Sequence, residues 1–432
     1  MASRFDFPNI VQSYRLLKGN TRISVLFEPL WGIPFALYNF YLSLYMKERG
    51  ISDPQIGYLI GIGFISSIIF SSLAGMITDA LGRKKTTLIF DLIAWPGALI
   101  LYMIASSFWL FALATVINSV VRIVAVSWNL MVVEDAGPTE QVAAYNLLNA
   151  INISVGALTP LAGLLVARLG IVLAEQWMLG FAVFSMTVMM VGRNHYYRET
   201  RVGQELLNEA PVRRLRFTLI KDFTASIRFL HQKPIVKKAS ILTVLFNTYL
   251  PVGAFSSLYF APFLTGVLKL DKSAIAILGG AHSTIIFLVL IFLLPALMGR
   301  NRFFAMSVGI IIQIISLLLL ITIPPGKFGL AVLMVVIYAV GFGIAKPFFD
   351  SLLAEVTTGK ERAGIYAFNN TVISALSALV GFFSGGLFEM RPALIYLLSI
   401  GILLGCLMVL RSIQGKPFGF RKRSCNPNEV KI

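Results

Sequence analysis

Apolar runs of about 20 residues, the length at which a helix crosses a bilayer, follow one another along the chain. Short polar segments separate them. The pattern predicts an all-α polytopic membrane protein with twelve transmembrane helices, numbered here as spans one to twelve. The predicted spans cover residues 23–46, 54–80, 86–106, 108–133, 141–168, 174–192, 239–266, 273–298, 303–323, 328–354, 362–388 and 391–411.

Composition agrees with this pattern and explains the net charge. Of 432 residues, 57% are hydrophobic and 13% are charged, about half the charged fraction of a soluble protein. The net charge of +17 would suit nucleic-acid binding, but most of the 37 Lys and Arg residues fall in loops on the side of the termini. The positive-inside rule then predicts a multi-pass protein of the cell inner membrane with both termini cytoplasmic, and no nucleic-acid partner.

The sequence predicts two halves joined by a basic segment. In that segment, apolar residues at helical spacing predict an amphipathic helix on the cytoplasmic membrane surface. This stripe consists of Leu219, Ile220, Phe223, Ile227 and Leu230. The predicted divisions are a six-helix half (1–192), the basic linker (193–238), a second six-helix half (239–411) and a basic cytoplasmic tail (412–432).

The two halves also resemble each other in sequence. The stretch "WNLMVVEDAGPTEQVAAYNLLN" at the junction of spans four and five is echoed 221 residues later by "FFDSLLAEVTTGKERAGIYAFN". The aligned pairs are Glu134 with Glu355, Glu140 with Glu361, Tyr145 with Tyr366, and Asn149 with Asn370. Two repeated halves around a midplane site are an architecture of secondary transporters.

The loop between spans two and three reads "GMITDALGRKK" and resembles the signature of the major facilitator superfamily. That signature is Gly, three residues, Asp, two residues, Gly, Arg and a basic pair. The matching residues are Gly75, Asp79, Gly82, Arg83, Lys84 and Lys85, with Ala80 in place of a usual basic residue. The resemblance implies two pseudo-symmetric six-helix halves and transport by alternating access.

The resemblance further implies a conformational latch in this loop. Gly75 would permit close helix approach, and Gly82 would permit a tight turn. Asp79 would face the start of span eleven near Arg362. Arg83 would pair with an acid at the end of span four, either Glu134 or Asp135. The alternative is a simple positive-inside anchor, which is our expectation for Lys84 and Lys85.

Charged residues inside spans are costly and are therefore functional candidates. Arg122 lies in span four and Lys346 in span ten, about one helical turn apart when the repeat is superimposed. Both helices border the central cavity in this fold, so the two cations could bind an anionic group of a substrate. Asp350, four residues after Lys346, offers the alternative of a local ion pair.

Glu28 in span one precedes Pro29, which predicts a bent helix with an acid that could exchange a proton. The alternative is a salt bridge with Arg15 or Arg22. Its counterpart in span seven is the uncharged Asn247.

Two further polar residues lie in spans three and eight. Asp91 is predicted to pair with the basic segment. His282 either lines the cavity or is a buried, hydrogen-bonded histidine.

Two weaker signals concern the substrate and the direction of transport. Aromatic residues of spans one and seven could form an apolar pocket, although packing explains them equally well: Tyr38, Phe40, Tyr41, Tyr45, Phe246, Tyr249, Phe255, Tyr259, Phe260 and Phe263. Span five resembles the antiporter motif of drug exporters at Gly156, Pro160 and Gly163, with Thr159 and Leu164 replacing glycines. The partial match favours export.

Together these observations predict a monomeric, non-enzymatic secondary transporter that moves a small amphiphilic solute out of the cell in exchange for protons. No phosphate-binding loop or metal-ligand cluster is apparent, so we expect no cofactor and an ion gradient as the energy source. The alternatives are uptake or exchange of an organic anion and, in another class, a membrane-embedded lipid enzyme or a non-transporting receptor.

Overall fold

A computed structural model describes residues 7–208, 227–255, 257–272, 275–297, 301–357 and 361–414. Of the predicted amphipathic stripe, Ile227 and Leu230 lie in a helix, whereas Leu219, Ile220 and Phe223 lie outside the described residues. The side chain of Arg362 is also outside the described part.

The described residues form nine helical stretches that are long and apolar enough to cross a membrane. One of them, Thr139–Tyr196, contains two spans because the backbone leaves the helical region at Gly170, where φ is 73°. Both ends of this hairpin lie beside residues 18–20. The Glu140 carboxylate accepts a hydrogen bond from the Lys18 amide (2.7 Å), and the Arg198 carbonyl accepts one from Asn20 Nδ2 (2.7 Å). The predicted spans one and seven are broken into shorter helices in the described part of the chain.

The bounds of the helices follow the predicted spans closely. The first half consists of Phe7–Leu16, Gly19–Phe27, Pro29–Tyr38, Leu42–Glu48, Asp53–Leu81, Arg83–Leu92, Ile93–Gly97 (a π-helix), Ala98–Ile104, Phe108–Ser119, Val121–Val133, Pro138–Gly156 and Thr159–Tyr196, followed by Arg201–Asn208. The second half consists of Pro234–Gly253, Phe260–Gly266, Ile275–Leu288, Val289–Leu293 (a π-helix), Leu294–Leu297, Arg302–Thr322, Phe328–Val356, Glu361–Met390 and Ala393–Gln414.

Span one is interrupted at the predicted position. Glu28 separates two helices, and Pro29 begins the second, where its missing N–H is not required. A second interruption at residues 39–41 precedes the helix Leu42–Glu48. Broken helices of this kind border the binding sites of many secondary transporters.

We call the end of the bundle that carries Arg83 and Glu134 the inner end, and the end that carries Glu48 and Lys272 the outer end, following the predicted topology. Contacts between the halves gather at the outer end. Lys272 forms an ion pair with Glu48, and its carbonyl accepts a hydrogen bond from Tyr41 Oη (2.8 Å).

Spans two and eleven meet through glycines near the same end. A Cβ atom added to Gly57 would lie 2.7 Å from the Gly381 carbonyl oxygen. Spans five and eight meet similarly, since a Cβ atom on Gly280 would lie 2.5 Å from the ring of Pro160. The exporter-like segment of span five is therefore part of the contact between the halves.

Candidate functional site: a central cavity beside a buried charge network

A cavity of about 310 Å³ lies between the two halves. Spans one, five, seven and eight supply its walls. The aromatic lining residues are Trp31, Phe35, Phe40 and Phe255, with His282 among the polar ones. The other lining residues with polar side chains are Asn39, Ser43, Asn152, Thr159, Ser257 and Ser283.

Two polar atoms in this wall are buried without a hydrogen-bond partner among the residues that the structure describes: Ser257 Oγ and His282 Nε2. The His282 ring is held flat against Phe255, with centroids 4.1 Å apart and an angle of 7° between the planes. A buried polar atom without a partner costs free energy, so both atoms favour a ligand that supplies hydrogen bonds. The wall can therefore stack against an apolar ring and also bond polar groups.

Glu28 lies next to the cavity and is itself buried, with 8% of its surface exposed. The side chain of Asn152, which lines the cavity, also interacts with the Glu28 carboxyl group. Glu28 also interacts electrostatically with Arg193, which forms an ion pair with Asp91. Asn152 thus lines the solute cavity and neighbours the buried acid.

The partners of Asp91 and Glu28 decide two of the predictions. The prediction that Asp91 pairs with the basic segment is confirmed, since Arg193 was its first predicted residue. Arg193 itself lies within the helix Thr159–Tyr196, three residues before its end, and is buried. Of the alternative partners considered for Glu28, Arg22 is engaged with Tyr14, to which Arg22 Nε donates a hydrogen bond (3.4 Å).

Arg122 is exposed on span four and makes no ion pair or hydrogen bond with any residue that the structure describes. Asn129 lies two turns further along the same helix, is also exposed, and accepts a hydrogen bond from Tyr145 of span five. This face of span four is therefore polar. Arg122 is not among the residues that line the cavity of about 310 Å³.

Lys346 forms an ion pair with Asp350 of its own helix, which was the alternative prediction. Its Nζ lies 2.5 Å from Asp350, and both side chains remain partly exposed, at 31% and 53%. Asn247 donates a hydrogen bond to the Thr243 carbonyl of its own helix (2.8 Å). Neither Lys346 nor Asn247 lines the cavity.

At the inner end, Arg83 is the centre of an ionic cluster. Its guanidinium forms two hydrogen bonds with Glu134 (3.0 and 3.1 Å) and one with Asp79 (3.0 Å). Glu199, in the segment after span six, accepts hydrogen bonds from the backbone amides of Arg83 (2.9 Å) and Lys84 (3.0 Å). The carboxylate thereby caps the helix Arg83–Leu92, whose N-terminus attracts negative charge.

Comparison with known proteins agrees with this architecture. The family model described as Major Facilitator Superfamily matches residues 32–382. The chain belongs to the major facilitator superfamily. A comparison with curated protein sequences finds no significant match.

Solved structures of several transporters share the fold of this superfamily member. The nucleoside transporter NupG is 14% identical, with a TM-score of 0.66, covering 94% of this chain and 100% of its own. A D-xylose–proton symporter is 13% identical, with a TM-score of 0.68, covering 90% and 96%. A bacterial homologue of the iron transporter ferroportin, in an inward-facing state, is 12% identical, with a TM-score of 0.67, covering 95% and 100%.

The signature loop of the superfamily is only partly arranged as expected. Gly82 has the positive φ of 81° that the turn requires. Arg83 selects Glu134 rather than Asp135, whose carboxylate accepts a hydrogen bond from the Arg201 amide (3.3 Å). Gly75 has no close helix contact in this arrangement, since a Cβ atom there would meet no atom of a described residue within 4 Å.

The aromatic residues of spans one and seven mostly form the core. Only Phe40 and Phe255 of the predicted set line the cavity. The others lie in the core between helices, as packing predicts, and the fully buried ones include Tyr41, Tyr45, Tyr249, Tyr259, Phe246 and Phe263.

Sequence reasoning missed the cavity residues of span one and two acids, the buried Glu175 and the partly buried Glu199. Trp31, Phe35 and Asn39 recur at intervals of four, and this helical spacing could have revealed their shared face. Glu175 and Glu199 had no comparable signal. Glu175 stands one residue inside a predicted apolar span, and Glu199 lies in a polar segment among other charges.

Proposed function

We propose that this major facilitator protein is a secondary transporter that exports a small amphiphilic solute in exchange for protons. The observation that carries the proposal is the position of Asn152, which lines the cavity and also reaches Glu28. A solute that engages the Asn152 amide competes with its interaction with the acid. Binding of solute and binding of a proton at Glu28 are thereby linked through one side chain.

The lining of the cavity supports an amphiphilic solute. Trp31 and Phe35 stack at 4.8 Å, and Phe40 stacks on Phe255 at 5.7 Å across the two halves. Rings of this kind contribute large apolar contact areas. Ser257 and His282 add unpaired polar atoms on the same wall, so a solute with an apolar ring and a few hydrogen-bonding groups fits best.

The contacts between the halves support alternating access. The ion pair between Glu48 and Lys272 and the bond from Tyr41 Oη tie the halves together at the outer end. At the inner end, the described bonds of Arg83 stay within the first half. This arrangement is that of an inward-facing state, in which a solute enters the cavity from the inner end.

Export is supported by the exporter-like segment of span five. Its residues Gly156, Thr159 and Pro160 pack against span eight, and Gly156 and Thr159 also line the cavity. The segment is therefore placed where it can link the solute to the movement of the halves.

A second candidate is uptake or exchange of an organic anion. It is favoured by Arg122, which is exposed on a polar face and has no acidic partner in the described part of the chain. An arginine without a carboxylate partner can bind a carboxylate or phosphate group of a solute.

The test uses inside-out membrane vesicles energised to be acidic inside, with ethidium as the amphiphilic probe. The native protein should concentrate ethidium inside the vesicles, and collapse of the proton gradient should release it. Glu28→Gln should lose gradient-driven accumulation while retaining ethidium exchange between the two sides. Glu389→Gln, a change of an exposed acid at the end of span eleven, is the matched control and should behave as native.

Two outcomes would count against the proposal. Accumulation of ethidium that is independent of the proton gradient would contradict proton coupling. Inhibition of transport only by anionic solutes, together with loss of that inhibition in Arg122→Gln, would favour the organic-anion transporter instead.

A further inference from the structure

Glu175 is the most deeply buried acid for which the structure gives no role so far. Its residue exposure is 0%, and neither carboxyl oxygen has a hydrogen-bond partner among the described residues. None of the ion pairs between described residues includes it. It lies near the outer end of span six, five residues after the reversal at Gly170 and next to Gln176, whose amide donates to the Met103 carbonyl (3.2 Å).

The ionisable groups that face Glu175 are tyrosines. Tyr38, Tyr41 and Tyr45 of span one interact with it electrostatically, and Tyr102 of span three lies beside Tyr38. The hydroxyls of Tyr41, Tyr45 and Tyr102 are engaged elsewhere. Tyr41 donates to the Lys272 carbonyl, Tyr45 donates to the Tyr102 and Met103 carbonyls, and Tyr102 pairs with Thr115. The guanidinium of Arg49 lies over the Tyr45 ring and donates a hydrogen bond to the Ala105 carbonyl.

Tyr41 connects this site to the closure of the outer end. Its ring interacts with Glu175, and its hydroxyl donates to the Lys272 carbonyl, while Lys272 pairs with Glu48. A negative charge on Glu175 in this closed arrangement would be unpaired and unsolvated, which is far more costly than a neutral carboxylic acid. Separation of spans one and eight at the outer end would admit water to the acid.

We propose that Glu175 is a proton-binding site of the outer end: the outer end closes over it when it has taken up a proton from the outside and is open when the acid is deprotonated. The inference deepens the proposed function, since it places proton uptake on the outer side of the exchange. It rests on that function only for the direction of proton flow. The binding and its effect on closure are properties of the protein alone.

The direction of the pH effect follows from linkage. The closed form binds the proton at Glu175 more tightly than the open form, in which water solvates the carboxylate. Raising the pH removes the proton and therefore favours the open outer end, and lowering the pH favours closure. Glutamine at this position resembles the protonated acid in shape and neutrality, so Glu175→Gln should stay closed at every pH.

The test measures the distance between spin labels at the outer end in lipid vesicles. Trp109 and Met390 are highly exposed residues at the outer ends of spans four and eleven, and each is replaced by cysteine after Cys406→Ser and Cys425→Ser. The native background should shift toward longer distances as the pH rises from about 5 to about 9, the range in which perturbed carboxyl groups titrate. Glu175→Gln should lose this shift and keep the short distance, whereas Glu28→Gln should keep it.

Two results would overturn the proposal. In the first, the distance between the spin labels in the native background does not change with pH. In the second, the Glu175→Gln variant shows the same pH-dependent change in that distance as the native background. Closure that follows the sodium concentration at constant pH would also overturn it, since a metal cation would then occupy the site. If Glu175→Gln fails to fold, native protein is treated with the apolar reagent dicyclohexylcarbodiimide, which attacks protonated buried carboxyls. Modification of Glu175 with loss of the pH shift is expected, and its absence contradicts the proposal.

This test uses no transported solute, so it separates the two ideas. If native protein fails to accumulate ethidium but keeps the pH shift that depends on Glu175, only the export proposal is contradicted. If Glu175→Gln still accumulates ethidium when driven by protons, only the inference about Glu175 is contradicted.

Discussion

The two halves repeat one architecture but stabilise their buried polar groups differently. In the first half, the buried polar centre is ionic: Arg193 pairs with Asp91, and Glu28 lies within their field. In the second half, the corresponding interior is neutral. Tyr249 donates to the Gln313 side-chain oxygen and shares a second hydrogen bond with Tyr338 (3.0 Å).

The same difference appears at equivalent positions of spans one and seven. Glu28 corresponds to Asn247, which bonds to its own helix rather than to a charge. The second half instead offers the cavity its unpaired Ser257 and His282. The comparison indicates that the two halves have different roles. Buried ionisable groups concentrate in the first half, and the second half contributes neutral contacts to the solute. The following predictions test whether the ionic groups of the first half also contribute more to thermal stability than the neutral groups of the second half.

The largest expected effect is the loss of the buried ion pair in the first half. Arg193→Leu leaves Asp91 buried without its cation, and removal of one partner of such a pair costs about 3–5 kcal/mol. We expect the thermal unfolding temperature in detergent to fall accordingly, as followed by fluorescence-detected size exclusion.

The double variant Asp91→Leu/Arg193→Leu is the control for that prediction. It removes both charges, so much of the lost stability should return. A double variant as unstable as the single one would show that packing, rather than the unpaired charge, is responsible.

A smaller effect is expected at the inner end, where two i,i+4 ion pairs can be compared. Arg83 is 4% exposed and bonds to two acids, so Arg83→Ala should cost about 2–3 kcal/mol. Lys346→Ala breaks a partly exposed pair, in which Lys346 is 31% and Asp350 53% exposed, and should cost at most about 0.5 kcal/mol. Equal losses of thermal stability in the two variants would contradict the contrast between the halves.

The neutral network of the second half should be less sensitive. Tyr338→Phe removes one hydroxyl that bonds to Tyr249, and a neutral hydrogen bond contributes about 1 kcal/mol. The prediction is a modest fall in thermal stability with unchanged ethidium transport. A loss comparable to that of Arg193→Leu would mean that neutral and ionic centres are equally critical.

The smallest expected effect distinguishes two glycines of the signature loop. Gly75→Ala meets no neighbouring atom and should stabilise its helix by about 0.5–1 kcal/mol. Gly82→Ala is strained by the positive φ, and its Cβ atom would lie 2.7 Å from the Glu199 carboxylate, so stability should fall. The two thermal shifts should therefore have opposite signs.

Much of the fold could be predicted because its cause is local. A helix must satisfy its backbone hydrogen bonds internally in lipid, so each apolar run of sufficient length specifies a span by itself. The interruption after Glu28 was equally local, since Pro29 cannot donate a backbone hydrogen bond. The pair between Lys346 and Asp350 required only the spacing of one helical turn.

The site was less accessible to prediction because it depends on which helix faces meet. Arg122 and Lys346 have the residue types of a binding site, yet neither lines the cavity. Trp31, Phe35 and Asn152 do so, on spans one and five, which lie far apart in the sequence. Nothing in its apolar segment distinguishes Glu175 until its neighbours are known to include three tyrosines.

By itself, the sequence determined the twelve spans, their repeat and the family, because hydrophobic length, backbone geometry and the signature loop are properties of contiguous residues. Only the tertiary structure decided that Arg83 binds Glu134, that Asn152 joins the cavity to Glu28, and that Glu175 has no partner. Burial and pairing of a charge depend on the residues that surround it in space, and those come from helices separated by up to hundreds of residues in the chain.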